Sequence, residues 1–186
     1  MSLGDVLIAM VIGLVGLLAT VASIDGSRGL VDTSEYRTAA AHIGQKEIER
    51  IQSLEYGSVL LDSAPATSTN AFDPGYHVTA GSPPTYRWDQ GTGGSAATEQ
   101  LAVAAGNVCT PGPCLSAAPT AWSDGRLSGK LHRYVTWVDD AACGAACPGD
   151  TDFKRVTIAV TEDHDAKRPP VLVSTIVSDP AARKGD

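Results

Sequence analysis

Four cysteines in two close pairs are the residues of this 186-residue chain whose chemistry is easiest to name. Cys109 and Cys114 have the spacing C-x4-C, and Cys143 and Cys147 have the spacing C-x3-C. Such pairs predict disulfides in an oxidising compartment, whereas four thiolates could hold Zn²⁺ in a reducing one. The spacing excludes neither, so the cellular location decides. If disulfides form, proximity favours Cys109–Cys114 and Cys143–Cys147.

Carboxylates gather in the segment TEDHD, between two predicted strands. Glu162, Asp163 and Asp165 offer the oxygen ligands that Ca²⁺ prefers. The plainer interpretation is a solvated acidic turn, so we predict no metal and keep calcium as the alternative. The chain has no P-loop, nucleophile elbow or H-E-x-x-H motif. We therefore predict that it is not an enzyme and that it needs no cofactor.

The charge balance limits the partners of the chain. Its formal net charge is −7, and its sequence pI is about 5.0. Affinity for nucleic acid depends largely on Lys and Arg side chains that neutralise phosphates. The composition therefore argues against general nucleic-acid binding.

The amino-terminal segment is the most hydrophobic part of the chain. No charged residue occurs from Val6 to Ile24, and Asp5 directly precedes this run. As a helix the run would be about 28 Å long, close to the thickness of the hydrocarbon core of a bilayer. The segment lacks the cationic start of a secretory signal peptide, since the first cation is Arg28. It predicts a helix that must be buried, in lipid or among other copies of the chain.

The helical pattern continues beyond the apolar run. The first proline of the chain is Pro65, and Tyr36, Ala40, Ile43 and Ile51 recur with helical spacing. The sequence EYG supplies a natural stop. We therefore predict one helix over about residues 2–56.

Alternating apolar and polar residues mark three late strands. The segments HRYVTWVD, FKRVTIAVTE and PVLVSTIVSD are rich in β-branched residues, and two connecting segments could reverse the chain. The fold class predicted is α+β, with the long helix packed on an antiparallel sheet. The predicted parts are an apolar helix half (1–25), an amphipathic helix half (26–56), a loop-rich region (57–130), a β-meander (131–180) and a tail (181–186).

The first sixty residues resemble a known family. MSLGDVLIAMVIGLVGLL is similar to the mature amino terminus of type IV pilins and pseudopilins, and AAAHIGQKEIERIQSLEYGSV is similar to the helix of minor-pilin-like members. The resemblance implies the pilin fold, a short basic leader removed ahead of Met1, and a methylated amine at that residue. The fifth residue is Asp5 rather than the commoner Glu, and the usual mid-helix proline is missing.

Two interpretations of Asp5 remain open. Ser2 and Asp5 fit the S-x-x-D pattern of a helix cap, and a carboxylate in the first turn suits the helix dipole. In a filament with apolar helices at its core, Asp5 would instead leave water and need a cation. The resemblance implies that it pairs with the Met1 amine of a neighbouring subunit.

The resemblance, together with the apolar helix, implies a structural subunit of a type IV pilus-like extracellular filament. The expected partners are further copies of the chain, other pilins and the pilus assembly machinery, with the inner or cytoplasmic membrane as the location before assembly. The alternatives are a minor pilin, a type II secretion pseudopilin, or a single-pass membrane-anchored surface-binding domain that never polymerises.

Overall fold

The computed structural model describes residues 3–88, 98–110, 112–138, 153–165 and 167–179. Within the first helix it describes the side chains of residues 4, 10–18, 20 and 31–52. The chain divides into two compact units, Met1–Ala39 and Ala40–Asp186. The second unit contains both sheets.

Helix α1 spans Leu3–Gln52 and contributes its last residues to the second unit. There it buries Ala40, Ile48 and Ile51, three residues that helical geometry places close to one side. Gly44 lies on the same side. A larger residue would not fit at this position, because its Cβ atom would lie 2.9 Å from a methyl carbon of Val173. The helix therefore approaches the sheet closely.

The larger sheet is an antiparallel meander of four strands in the order β4-β5-β6-β7. Gly125, with φ of +58°, allows the tight turn between β4 and β5. Strands β5 and β6 pair over ten residues, from Gly129 opposite Glu162 to Val138 opposite Phe153. The strands are β4 (Thr120–Asp124), β5 (Leu127–Val138), β6 (Phe153–Glu162) and β7 (Val171–Ser178).

A smaller antiparallel sheet has the strand order β1-β2-β3. Its Tyr86 ring stacks on the Tyr134 ring of β5, with the ring centroids 4.1 Å apart. Both tyrosines are almost fully buried, so the two sheets share apolar core. The strands of this sheet are β1 (Val78–Thr79), β2 (Thr85–Arg87) and β3 (Thr98–Gln100).

This architecture corrects the predicted fold class. The prediction of an α+β pilin fold, with a hydrophobic stalk helix over about 2–56 packed on one antiparallel sheet, was wrong. The second unit is mostly β, with two antiparallel sheets, and the longest helical stretch with described side chains is the 22 residues 31–52, which hold no apolar span. The error arose in part because strands of two or three residues are too short to show periodicity. The region 57–130 was therefore predicted to be loop-rich.

Candidate assembly surface

The feature of the first unit most suited to binding is a run of exposed apolar side chains on α1. All residues from 10 to 18 are exposed. We call residues 10–18 the apolar helical segment. Because nine consecutive residues cover every side of a helix, the segment offers apolar surface all round. Its large apolar residues, each between 59% and 69% exposed, are Met10, Val11, Ile12, Leu14, Val15, Leu17 and Leu18.

Small residues interrupt this surface at Gly13 and Gly16. A Cβ atom built at either position would meet no other atom within 4 Å. Small residues let the backbones of two helices approach closely in apolar surroundings, and residues three apart lie on the same face of a helix. The segment therefore suits helix-to-helix contact.

Thr20, just beyond the segment, already has partners for its hydroxyl. The Oγ1 atom lies 3.0 Å from the carbonyl oxygen of Gly16 and 2.8 Å from that of Leu17. A hydroxyl bonded back to its own helix needs no external partner on burial. Burial of this part of the helix against other apolar surface therefore leaves the Thr20 hydroxyl satisfied.

The two residues predicted to act in assembly lie at the start of the chain. Asp5 is in the first turn of α1, which begins at Leu3, but its side chain is outside the described part. Met1 and Ser2 also lie outside the described residues. The pairing of Asp5 with a neighbouring amine and the helix cap formed by Ser2 and Asp5 both stay predictions. Among the helices as described, none has a stretch sufficiently long and apolar to cross a membrane.

One of the two predicted disulfides falls within the described residues. Cys109 and Cys114 are joined by a disulfide, with their Cα atoms 5.2 Å apart. The Oγ atom of Ser58 accepts a hydrogen bond from the backbone N–H of Gly112, which ties the small loop to the segment that follows α1. The predicted pair Cys143–Cys147 lies outside the described residues.

Arg168 occupies the acidic turn that was the alternative calcium site. It pairs with Glu162, and its Nε atom lies 3.7 Å from Oδ2 of Asp165. The third carboxylate, Asp163, is exposed. No group of metal-binding side chains occurs among the residues that the structure describes. In the structure, the positive charge beside these carboxylates is therefore the guanidinium group of Arg168.

Sequence reasoning missed a buried cation beside the end of α1. Lys154 of β6 is 1% exposed, and its Nζ atom donates to the carbonyl oxygen of Tyr56 at 2.7 Å. The same nitrogen lies 3.9 Å from the centroid of the Tyr56 ring and 5.0 Å from that of Trp137. Burial lowers the pKa of Lys154 to about 8, against an opposing effect of Asp179. No local pattern marks this residue, because its partners are far away in sequence.

Comparisons with known proteins add no relative to this picture. No model of a known protein family matches the chain, and no significant match was found among characterised proteins or solved structures. Any assignment of function therefore depends on the chemistry of the residues and on the resemblance of the first sixty.

Proposed function

We propose that the chain is a structural subunit of an extracellular filament of the type IV pilus kind, and that copies associate through the apolar helical segment. The observation that carries the proposal is the exposure of seven large apolar side chains on residues 10–18. Exposed apolar surface of this extent marks a site of interaction.

The energetics favour several neighbours over one. Full burial of a large apolar side chain contributes about 1.5–3 kcal/mol. The seven side chains are already about one-third covered, so together they would contribute roughly 10 kcal/mol. Association of two molecules costs an estimated 4–15 kcal/mol. One pairwise contact covers only one side of the segment, so a stable assembly needs neighbours all round, as in the core of a filament.

The charged groups at the start of the chain would set the register. An unpaired carboxylate buried among apolar helices costs several kcal/mol. Pairing of Asp5 with the Met1 amine of the next subunit removes this cost only at one axial offset. The resemblance to pilins supports this role and also a methylated Met1 and an inner or cytoplasmic membrane location before assembly. Assembly would then depend on dedicated pilus machinery and on other pilins.

Two other functions are compatible with the same surface. A minor pilin or a type II secretion pseudopilin would use the segment in the same way, in a filament built mainly from another subunit. A single-pass membrane-anchored surface-binding domain would bury the segment in lipid and never polymerise. The distribution of the chain between filaments and membrane separates these three possibilities.

The test uses the cells that produce the chain. Surface filaments are sheared off, imaged by electron microscopy and probed for the chain, alongside the membrane fraction. For a major subunit, the chain is the principal protein of the sheared filaments. For a minor pilin or a pseudopilin, it is a small fraction of them. Recovery of the chain only from membranes, as a monomer, would overturn the proposal in favour of the anchored domain.

Matched valine substitutions then locate the surface. Val15→Lys places a cation in the apolar helical segment, where burial costs several kcal/mol, and is expected to remove the chain from sheared filaments. Val108→Lys makes the same change at a valine of the second unit that is 69% exposed, compared with 60% for Val15. This control is expected to leave the filaments unchanged. Equal incorporation of both variants would contradict assembly through residues 10–18.

A further inference from the structure

A cavity of about 390 Å³ lies on the face of the larger sheet away from α1. Arg133 of β5 reaches Glu47 of α1, so its side chain points to the helix-covered face. Because side chains alternate along a strand, Lys130, His132 and Tyr134 point to the other face, where they line the cavity. The volume falls in the range of sites for small molecules.

A loop held by side-chain hydrogen bonds forms the opposite wall of this cavity. The carboxylate of Asp73 accepts a hydrogen bond from the N–H of Gly75 at 2.7 Å. The side-chain oxygen of Asn70 accepts one from the N–H of Phe72 at 3.1 Å. These bonds fix the loop and leave the amide nitrogen of Asn70 and the second oxygen of Asp73 for other partners. Phe72 also lines the cavity, with 41% of its surface exposed.

The charges around the cavity nearly balance. Lys130 contributes one positive charge, and Asp73 and Asp163 contribute one negative charge each. The carboxylate of Glu162 is neutralised by Arg168. Burial lowers the pKa of His132, so near pH 7 the imidazole is mainly neutral and offers one donor and one acceptor. The lining therefore disfavours an anion and presents donors and acceptors side by side.

We propose that this cavity binds a neutral sugar, such as one hexose ring of an exposed glycan. Each sugar hydroxyl both donates and accepts, and the lining offers donors in the ammonium group of Lys130 and the amide of Asn70 and acceptors in the carboxylates of Asp73 and Asp163. The carbon–hydrogen face of a sugar ring is apolar and fits against an exposed aromatic ring, here Phe72. Sites for small molecules combine an apolar wall with a few placed polar groups in this way.

The test titrates the full chain with methyl glycosides of glucose, galactose and mannose. The protein is kept in a detergent without a sugar head group, and binding is followed by amide chemical shifts. At least one glycoside is expected to bind saturably, with a Kd on the order of 1 mM, and to shift the amides of residues that line the cavity. Absence of saturable binding by all three would overturn the proposal. Tighter binding of glucuronate than of the methyl glucoside would overturn the assignment of a neutral ligand.

Two variants at aromatic residues test whether the sugar contacts Phe72. Phe72→Ala is expected to weaken binding by about tenfold, since it removes the aromatic wall. Tyr76→Ala is the matched control, because Tyr76 is 45% exposed on the same loop and does not line the cavity. The control is expected to bind as the unmodified chain does. Unchanged binding by Phe72→Ala would show that the sugar does not contact Phe72. Both side chains are substantially exposed, so both variants should fold.

Discussion

The Nε atom of Arg133 lies 2.6 Å from Oε1 of Glu47, and this ion pair joins the end of α1 to the inner strand β5. The two side chains are 9% and 11% exposed. Glu47 also accepts two hydrogen bonds from Arg50, and Arg133 donates to the hydroxyl of Thr120. The pair is thus part of a network whose members satisfy one another, which is the condition under which a buried ion pair is tolerated.

This network predicts a loss of stability in acid. Burial by itself raises the pKa of Glu47, but hydrogen bonds from Arg50 and then Arg133 outweigh it and hold the pKa below its ordinary value. A carboxyl with a lowered pKa in the folded state stabilises the protein above its unfolded pKa of about 4.3. That contribution is lost as the pH falls through the folded pKa. Urea unfolding between pH 7 and pH 3 is expected to show this decline.

Two glutamate variants assign the decline to Glu47. Glu47→Gln is expected to lower the free energy of unfolding at pH 7 by roughly 2–3 kcal/mol, after allowance for partial solvent screening. It should also flatten the acid decline. Glu49→Gln, at an exposed position of the same turn, is expected to change neither quantity by more than about 0.5 kcal/mol. Identical acid profiles for Glu47→Gln and the unmodified chain would contradict the assignment.

The longer strands could be predicted from the sequence because their patterns are local. Strands β5, β6 and β7 occupy the three segments with alternating or β-branched residues. The stalk helix predicted over about 2–56 was wrong, and its predicted end was wrong as well. Helix α1 ends at Gln52, because the N–H of Ser53 is shared between the carbonyl oxygens of Glu49 and Arg50 and the N–H of Leu54 donates to Ile51, only three residues back. Such endings depend on the last turn rather than on periodicity.

The smaller sheet could not be predicted in this way because its contacts are with residues that are distant in sequence. The carboxylate of Glu99 in β3 lies 3.2 Å from Nε of Arg155 in β6, across a separation of 56 residues. Strand β3 itself has only three residues, Thr98–Gln100. No short stretch of sequence contains both residues of such a contact. The cavity beside Tyr134 is likewise formed by residues that are distant in sequence. The predicted assembly residues Met1 and Asp5 came from the family resemblance instead.

Lys154 predicts a gain of stability in mild alkali. Burial lowers its pKa to about 8 in the folded protein, whereas an unfolded lysine titrates near about 10.4. Between these values the folded state has released a proton that the unfolded state still holds. Stability therefore rises with pH across this window and is constant below it. The free energy of unfolding is expected to rise between pH 8 and about pH 10.4.

Methionine substitutions isolate this lysine. Lys154→Met removes the titrating group while keeping most of the side-chain volume, so the rise attributed to Lys154 should disappear. Lys130→Met makes the same change at an exposed lysine and is expected to keep the rise. Contributions of buried tyrosines are common to all three proteins and cancel in the comparison. Equal slopes for Lys154→Met and Lys130→Met would show that Lys154 is not the group responsible.

The two interpretations of Asp5 predict different outcomes for a variant that loses the charge but keeps a hydrogen-bonding oxygen. If the residue only caps its own helix, it contributes about 0.3–1 kcal/mol, and Asp5→Asn should form filaments almost as well as the unmodified chain. If it pairs with the Met1 amine of a neighbour in an apolar core, loss of the negative charge leaves that amine unpaired at a cost of several kcal/mol.

We therefore expect Asp5→Asn and Asp5→Ala to abolish filaments in the sheared fraction, while Asp5→Glu retains them. The unfolding transition of the second unit should be unchanged in all three variants, because that unit comprises Ala40–Asp186. Filaments at the unmodified level from Asp5→Asn would reject the intermolecular pair and leave the helix cap as the role of Asp5. Loss of filaments in Asp5→Glu as well would show that the shorter aspartate side chain is required by the geometry of the pair.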